Sequence, residues 1–295
     1  MLVRTGETFV IVVTGATGTV GSKVVSGLRE RGESVRALVR DPGSRPAEWD
    51  EGVEVVAADY TDPASLDAAL AGADVVYLLV AVHPEMAQHE INIIDAAVRT
   101  GRQPRIVLHA AAGVEYKPEG VRFLSAHVAG HAHLEASGLP WTVLAPNGFH
   151  QNFLGMADAV KAGRLTAAAG HAPVSWVDAR DVADAAVAVL TGEGHEGAVY
   201  TLTGPAGLTH EEIAEQLGAV AGREVAYQAA DPQAALAGML GAGWDPWRAE
   251  GLIELYTFYA GGGAGAVSSD VEKLTGHPAR SFADFAADHA PVFGG

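Results

Sequence analysis

Cysteine is absent from the 295-residue chain, which excludes disulfides, thiolate catalysis and metal clusters held by cysteine. Long apolar runs are missing too. The longest, Val75–Val82, falls far short of the ~20 residues a membrane-spanning helix needs. Basic residues are scarce: 19 Lys and Arg face 36 Asp and Glu, a formal net charge of −17 at pH 7. A surface this acidic repels phosphate backbones and anionic lipids, so neither nucleic acid nor a membrane is expected as a partner. Met1–Glu7 lack the basic segment and apolar stretch of a secretory leader, and together with the missing cysteines this leads to the expectation of a cytoplasmic protein. No fixed-period repeat is visible.

Hydrophobic residues make up 48% of the chain, ample for a core. Short β-branched runs, at Val10–Val13, Val35–Val39, Val53–Ala58, Val75–Val80, Ile106–Leu108 and Trp141–Leu144, alternate with helical stripes. Among the stripes are Val20, Val24, Val25 and Leu28, then Ile91, Ile94, Ala97 and Val98, then a helix over Val121–Ser137. Strands alternating with helices, several apolar throughout, predict an α/β chain with a parallel sheet covered on both faces. Past residue 150 the alternation weakens. Helices are expected near Ala179–Leu190, Glu211–Val220, Pro232–Leu240, Trp247–Tyr259 and Phe282–His289, with strands near Ala198–Leu202 and Val225–Gln228. Gly261–Gly265, with four glycines in five residues, reads as a mobile loop. Four of five tryptophans follow residue 140 (Trp141, Trp176, Trp244, Trp247), which suggests a smaller C-terminal lobe with aromatic surface.

The strongest local signal is Thr14-Gly15-Ala16-Thr17-Gly18-Thr19-Val20-Gly21. Glycines 15, 18 and 21 lie between the first strand and the first helix, where the chain must turn tightly and approach a pyrophosphate closely. The helix start supplies N–H groups and a positive dipole end for the phosphates. Ala16, Thr17, Thr19 and Val20 complete this loop. An acidic residue ending the second strand would bind the ribose of NAD, but here the strand runs into Arg40-Asp41. Arg40 suits a 2′-phosphate, so NADP(H) is preferred, with NAD(H) as the alternative. Asp59 and Tyr60 are expected beside the adenine, and Leu79, Val80 and Ala81 under the cofactor.

These segments, together with Ser137–Leu144 followed by Pro146, Asn147–Phe153, Val177–Ala183 and Tyr200–Pro205, resemble the NmrA-like, atypical short-chain dehydrogenase/reductases over about residues 8–292. The resemblance implies a Rossmann-type doubly wound parallel sheet at 8–150. It also implies a smaller C-terminal substrate-binding lobe at 151–295, of which about 173–204 packs back on the first domain. Such families hold quinone and azo-dye reductases, aromatic ketoreductases and non-catalytic redox sensors.

Short-chain reductases commonly protonate the carbonyl oxygen from a Tyr-x-x-x-Lys pair assisted by an upstream Ser. No tyrosine here has lysine four residues later. The matching frame reads Phe123-x-x-x-His127, and Ala110 stands where many relatives place Ser. His131 and Ala145 likewise replace an acid and an arginine that pair in relatives. Three accounts stay open: an acceptor whose anion is stabilised by delocalisation, a histidine donor, or a protein that binds NADP(H) without turnover.

His127 and Asn147 are therefore the candidate catalytic residues. Ala110, His127, Pro146, Asn147 and Phe149 are expected along the cofactor, and Phe149, His150, Asn152, Phe153, Trp176 and Trp244 along the substrate. Trp247, Tyr256 and Tyr259 read either as pocket or as core. No metal site is expected, because the i, i+4 pair His127 and His131 lacks a third ligand, and Asp178 reads as a helix cap. The expected activity is hydride transfer from NAD(P)H to a ketone or quinone carbonyl of a polycyclic aromatic, polyketide-like small molecule. The competing reading is a redox sensor acting on a protein partner. A homodimer is left open.

Overall fold

The computed structural model describes residues 9–114 and 119–294; the leader reading of Met1–Glu7 and the first residue of the domain drawn at 8 lie outside the described residues. The chain forms two compact units. The first joins residues up to 110 with 126–145 and 182–200; the second joins 111–125, 146–181 and 201–295.

The first unit is built on strands β1 (Val10–Val13), β2 (Ser34–Val39), β3 (Val53–Ala57), β4 (Val75–Leu78), β5 (Arg105–His109) and β6 (Trp141–Pro146). With β8 (Val199–Leu202) they make one seven-stranded sheet ordered β3-β2-β1-β4-β5-β6-β8. The pairings from β3 through to β6 are all parallel. Parallel strands need crossovers, and the helices that supply them bury the sheet, which is why β4 is buried at every position. Helix α1 (Gly21–Glu30) meets α6 (Ala179–Thr191) at Gly27, where an added Cβ would stand 3.0 Å from Val187. Helices α2 (Pro63–Leu70) and α3 (Met86–Arg99) pack together, and α3 also meets α4 (Arg122–Ala136) through Asp95 and His133. The strand order reverses between β2-β1 and β4, and ligands of open α/β sheets bind outside the strand ends at such a switch point.

The α3 stripe differs from its expected face. Met86, Glu90, Ile93, Ile94 and Ala97 are buried, whereas Ile91 is half-buried and Val98 is 44% exposed. A glutamate occupies a position of the apolar row, and this shifts the face that hydrophobicity alone picks out.

The second unit contains α5 (Ala157–Lys161), β7 (Arg164–Ala167), α7 (His210–Ala221), β9 (Ala226–Ala229), α8 (Pro232–Gly241), α9 (Pro246–Ala260), α10 (Asp270–Thr275), α11 (Phe282–Asp288) and α12 (Ala290–Phe293). Strands β7 and β9 form a parallel pair; β9 lies where a strand is expected near Val225–Gln228, whereas β7, at four residues, is too short to stand out by pattern. Its core gathers Phe153, Leu165, Trp176, Leu217, Tyr259, Phe282, Phe285 and Phe293. Asp178 accepts from Arg180 N–H at the start of α6, as a cap does.

The glycine-rich 261–265 stretch is pinned rather than mobile. Ala264 is buried, and its carbonyl accepts from Asn147 Nδ2, Ser175 N–H and Ser175 Oγ. A Cβ on Gly263 would lie 2.4 Å from the Phe258 ring, so that glycine serves close packing. Among the described residues no helix is long and apolar enough to cross a membrane.

Candidate functional site

The glycine loop leaves β1 at the switch point and is tied to the end of β4. Thr14, fully buried, donates from its N–H to the Tyr77 carbonyl at 3.0 Å. Its hydroxyl donates to the Leu79 carbonyl at 2.8 Å and accepts from Leu79 N–H at 2.8 Å. Gly15 takes φ +59°, and a Cβ there would meet Leu79 Cδ2 at 2.6 Å. Gly18 N–H donates to the Gly15 carbonyl at 3.0 Å, closing the turn. A Cβ on Gly21 would stand 2.1 Å from the Gly15 carbonyl oxygen, so helix and loop approach at a distance only glycine permits.

Ala16 and Val20 are buried beneath the loop, while Thr17, Gly18 and Thr19 are exposed. The start of α1 has neither a side-chain cap nor an acidic residue in its first turn. No side chain of the first turn therefore offsets the positive end of the helix dipole, the arrangement a pyrophosphate fits.

Arg40, Asp59 and Tyr60 line one cavity of about 360 Å³, shared with Ala57, Ala58, Thr61, Ser65 and His89. Arg40 is exposed and carries no ion pair among the described residues. Its neighbour Asp41 accepts from Gly43 N–H, so that carboxylate is committed to the following turn. Exposed Asp59 accepts from Thr61 N–H and Thr61 Oγ1, which hold its carboxyl below the usual range. The Tyr60 hydroxyl accepts from Gly15 N–H at 3.3 Å, so this phenol reaches the glycine loop itself. Burial pushes Tyr60 up, and the phenol keeps its proton. A free guanidinium, an acid and a half-buried aromatic wall are groups that suit an adenosine carrying a 2′-phosphate.

Leu79 is half-buried, Val80 buried and Ala81 exposed as the chain leaves β4. Ala110 is buried, with its N–H donating to the Leu144 carbonyl at 2.8 Å.

His127 lies on α4 and is buried, with Nδ1 3.3 Å from Glu90 Oε1. Glu90 on α3 is fully buried, and burial raises its carboxyl pKa although the His127 imidazole opposes this. Below them, the Tyr77 hydroxyl and His109 Nδ1 are 2.7 Å apart. Burial first, and then His127, lower His109 to about 3, while burial pushes the Tyr77 phenol up. His109 therefore stays neutral, and the phenol keeps its proton. Sequence reasoning singled out none of Glu90, His109 and Tyr77. Two signals were legible: an acid in the apolar row of α3, and a mid-helix Gly130 whose Cβ would stand 1.8 Å from Glu90 Oε2.

In the second unit, Pro146 is buried and Phe149 is half-buried, bridged in parallel register to Val177. Asn147 departs from its expected catalytic role. Its Nδ2 donates to Ser175 Oγ and to the Ala264 carbonyl, both at 2.9 Å, and its Oδ1 accepts from Gly148 N–H at 2.8 Å. Every hydrogen of that amide is committed to the chain, which makes Asn147 a knot between two loops.

His150, Phe153 and Trp176 are likewise withdrawn from a substrate-lining role. They are 1%, 1% and 3% exposed. The His150 ring lies against Phe282 and Phe285, and Phe153 sits edge-on to Trp176. Asn152 is exposed, and Trp244 is 49% exposed. Trp247 stacks at a tilt on Phe123 under the Arg122 guanidinium, and Tyr259 belongs to the core.

The chain is 37% identical over 286 residues to the NAD(P)H azoreductase of Xenophilus azovorans, covering 96% of this chain and 99% of the relative. It is 38% identical over 285 residues to the (4-alkanoyl-5-oxo-2,5-dihydrofuran-3-yl)methyl phosphate reductase of Streptomyces griseus, covering 96% and 99%. Among solved structures it superposes on the NADPH complex of an NADPH-dependent quinone oxidoreductase from Escherichia coli. There the TM-score is 0.87 and the identity 28%, over 94% of this chain and 99% of the other. The model of the NmrA-like family matches residues 7–273. With a switch-point glycine loop on a parallel sheet and a family match over most of its length, the chain belongs to the NmrA-like family.

Proposed function

We propose that this protein is an NAD(P)H-dependent reductase, with NADPH preferred, acting on a conjugated acceptor of the quinone or azo class. The observation that carries the reading is the loop from Thr14 to Gly21, where two glycines are demanded by backbone contact and the helix start is left uncapped. Two relatives matched along nearly their whole length are named as reductases, one of them as an NAD(P)H azoreductase. When bound, NADPH supplies a hydride to the acceptor. The loop around Gly15–Gly21 holds the pyrophosphate, Arg40 the 2′-phosphate, and Asp59 and Tyr60 the adenosine side.

Within this class the acceptor is a flat polycyclic aromatic carbonyl or quinone of the polyketide kind. Helix α8 (PQAALAGMLG) is almost wholly apolar yet has no buried residue, and Leu240 and Trp244 at its end are 41% and 49% exposed. Apolar surface of this kind marks a place for an apolar ligand. A delocalised product anion also lessens the need for the absent tyrosine donor.

The test is NADPH oxidation, followed at the nicotinamide absorbance, against quinones, azo dyes and polycyclic aromatic ketones, with cofactor titrations alongside. Turnover on one scaffold supports the reductase. Tight, redox-state-dependent binding with no turnover on any of them would instead make the protein a sensor.

A further inference from the structure

The reductase chemistry needs a proton for the acceptor, and the usual tyrosine and lysine are absent. We infer that Glu90 is the positioning residue that makes His127 the proton donor: the buried carboxylate faces Nδ1 and leaves the Nε2 proton as the one transferred. This rests on the reductase reading, and it concerns residues of the first unit alone.

Four observations carry it. Glu90 is fully buried, and neither of its carboxylate oxygens has a hydrogen-bond partner among the described residues. Its one ion-pair partner among the described residues is His127, whose Nδ1 lies 3.3 Å away, within ion-pair range though not aligned as a hydrogen bond. Gly130, one turn along α4 from His127, leaves the space into which the carboxylate fits. Among the described residues His109 interacts with the His127 imidazole and hydrogen-bonds to Tyr77, and both His109 and Tyr77 stay neutral. The other ion pairs of α3 and α4 among the described residues, Arg99 with Asp67, Arg122 with Glu250 and Glu254, His131 with Glu135 and His133 with Asp95, do not include Glu90.

The chemistry follows from burial. A lone carboxylate here is costly, so the pair takes up a proton and is neutral overall. That neutral pair is either a carboxylate beside an imidazolium or a carboxylic acid beside an imidazole. In both forms Nε2 carries a hydrogen. Hydride transfer gives the acceptor two electrons and one hydrogen, leaving negative charge on its oxygen or nitrogen. The Nε2–H bond then breaks and an O–H or N–H bond forms on the product. The pair is left as carboxylate and neutral Nδ1–H imidazole, to be recharged from water. Without Glu90 the imidazole would lose the partner that stabilises its charged form.

Two measurements test this. Nitrogen-15 NMR of the cofactor-free protein follows the His127 ring through a pH titration in wild type, Glu90→Gln and Gly130→Ala. The second variant keeps the charge but displaces the carboxylate, and it serves if the first fails to fold. The protonation midpoint of His127 is expected to fall by about one pH unit or more in either variant. Steady-state turnover with NADPH and a naphthoquinone is expected to lose its activity at correspondingly lower pH in Glu90→Gln, with KM for NADPH retained. His127→Gln lowers kcat by about 100-fold. An unmoved titration and an unmoved pH profile overturn the inference. Absence of wild-type turnover on every acceptor overturns the reductase reading instead, and the titration still decides whether Glu90 governs His127.

Discussion

Replacing Gly21 by alanine isolates the steric requirement of the phosphate loop. Alanine is the better helix former by about 1 kcal/mol, and Gly21 is the first residue of α1, so propensity alone favours the change. The geometry opposes it. The new Cβ would stand 2.1 Å from the Gly15 carbonyl oxygen, 2.8 Å from its carbon and 3.0 Å from Ala16 Cα, all backbone atoms that no rotamer can move. The loop must shift by about 1 Å to reach ordinary contact. Overpacking of this kind costs about 1–3 kcal/mol, and the loop N–H groups leave the positions a pyrophosphate requires.

Losing one hydrogen bond to a charged group, at about 1.5–3 kcal/mol, raises the NADPH dissociation constant by roughly 10- to 150-fold. Two controls grade the effect. In Gly18→Ala the Cβ lies 3.3 Å from the same oxygen, so a smaller loss is expected. In Gly27→Ala, on the same helix, the new atom meets only the Val187 side chain at 3.0 Å, and affinity should hold. The assay is titration of nicotinamide fluorescence or calorimetry on variants shown to be folded. Equal NADPH affinity in folded Gly21→Ala and wild type would refute the assignment of this loop to the phosphates.

Arg40→Ala should weaken NADPH by about 10- to 100-fold, the worth of one charge-assisted contact, and leave NADH nearly unchanged; equal losses would make Arg40 a surface charge only. His210 is 1% exposed and burial lowers it to about 4, so it folds neutral and its contribution is complete above pH ~6.5. As pH falls below that value the unfolded chain gains a proton the folded one refuses, and stability drops by about 2 kcal/mol per such imidazole between pH 7 and pH 5. His109, held near 3, adds in the same direction. Denaturant melts of wild type and His210→Gln at both pH values check this, and an identical pH slope in the variant would remove His210 as a cause. Gly263→Ala drives a Cβ to within 2.4 Å of Phe258 and should cost about 1–3 kcal/mol. A thermal melt that does not shift would mean the 261–265 loop yields freely.

The order of strands and helices in the first unit was legible because buried parallel strands are short β-branched runs and each is followed by a helical stripe. The glycine loop was legible for a local reason as well: turn, close approach and helix start all fall within eight residues, Thr14–Gly21. The place of Arg40, just past the end of β2, was legible for the same local reason. The pairing of Glu90 with His127 was not, since the two residues sit on different helices and meet only when α3 and α4 pack. An acid in an apolar row reads as an interruption until its neighbour is known.

The aromatic residues show the same division. Composition placed tryptophans and phenylalanines late in the chain, but only packing separated Trp176 and Phe153, which fill the core, from Trp244, which faces solvent. Asn147 looked reactive from its place after β6, and the fold spends all its amide hydrogens on Ser175 and Ala264, up to 117 residues away in sequence. The parallel sheet, the glycine-rich turn and the missing tyrosine could all be read from the chain, because each rests on periodicity or on residues adjacent in it. Tertiary structure alone decided which polar groups are buried, which are partnered and which remain free to react, because desolvation and hydrogen-bond satisfaction depend on neighbours that the chain brings from far away.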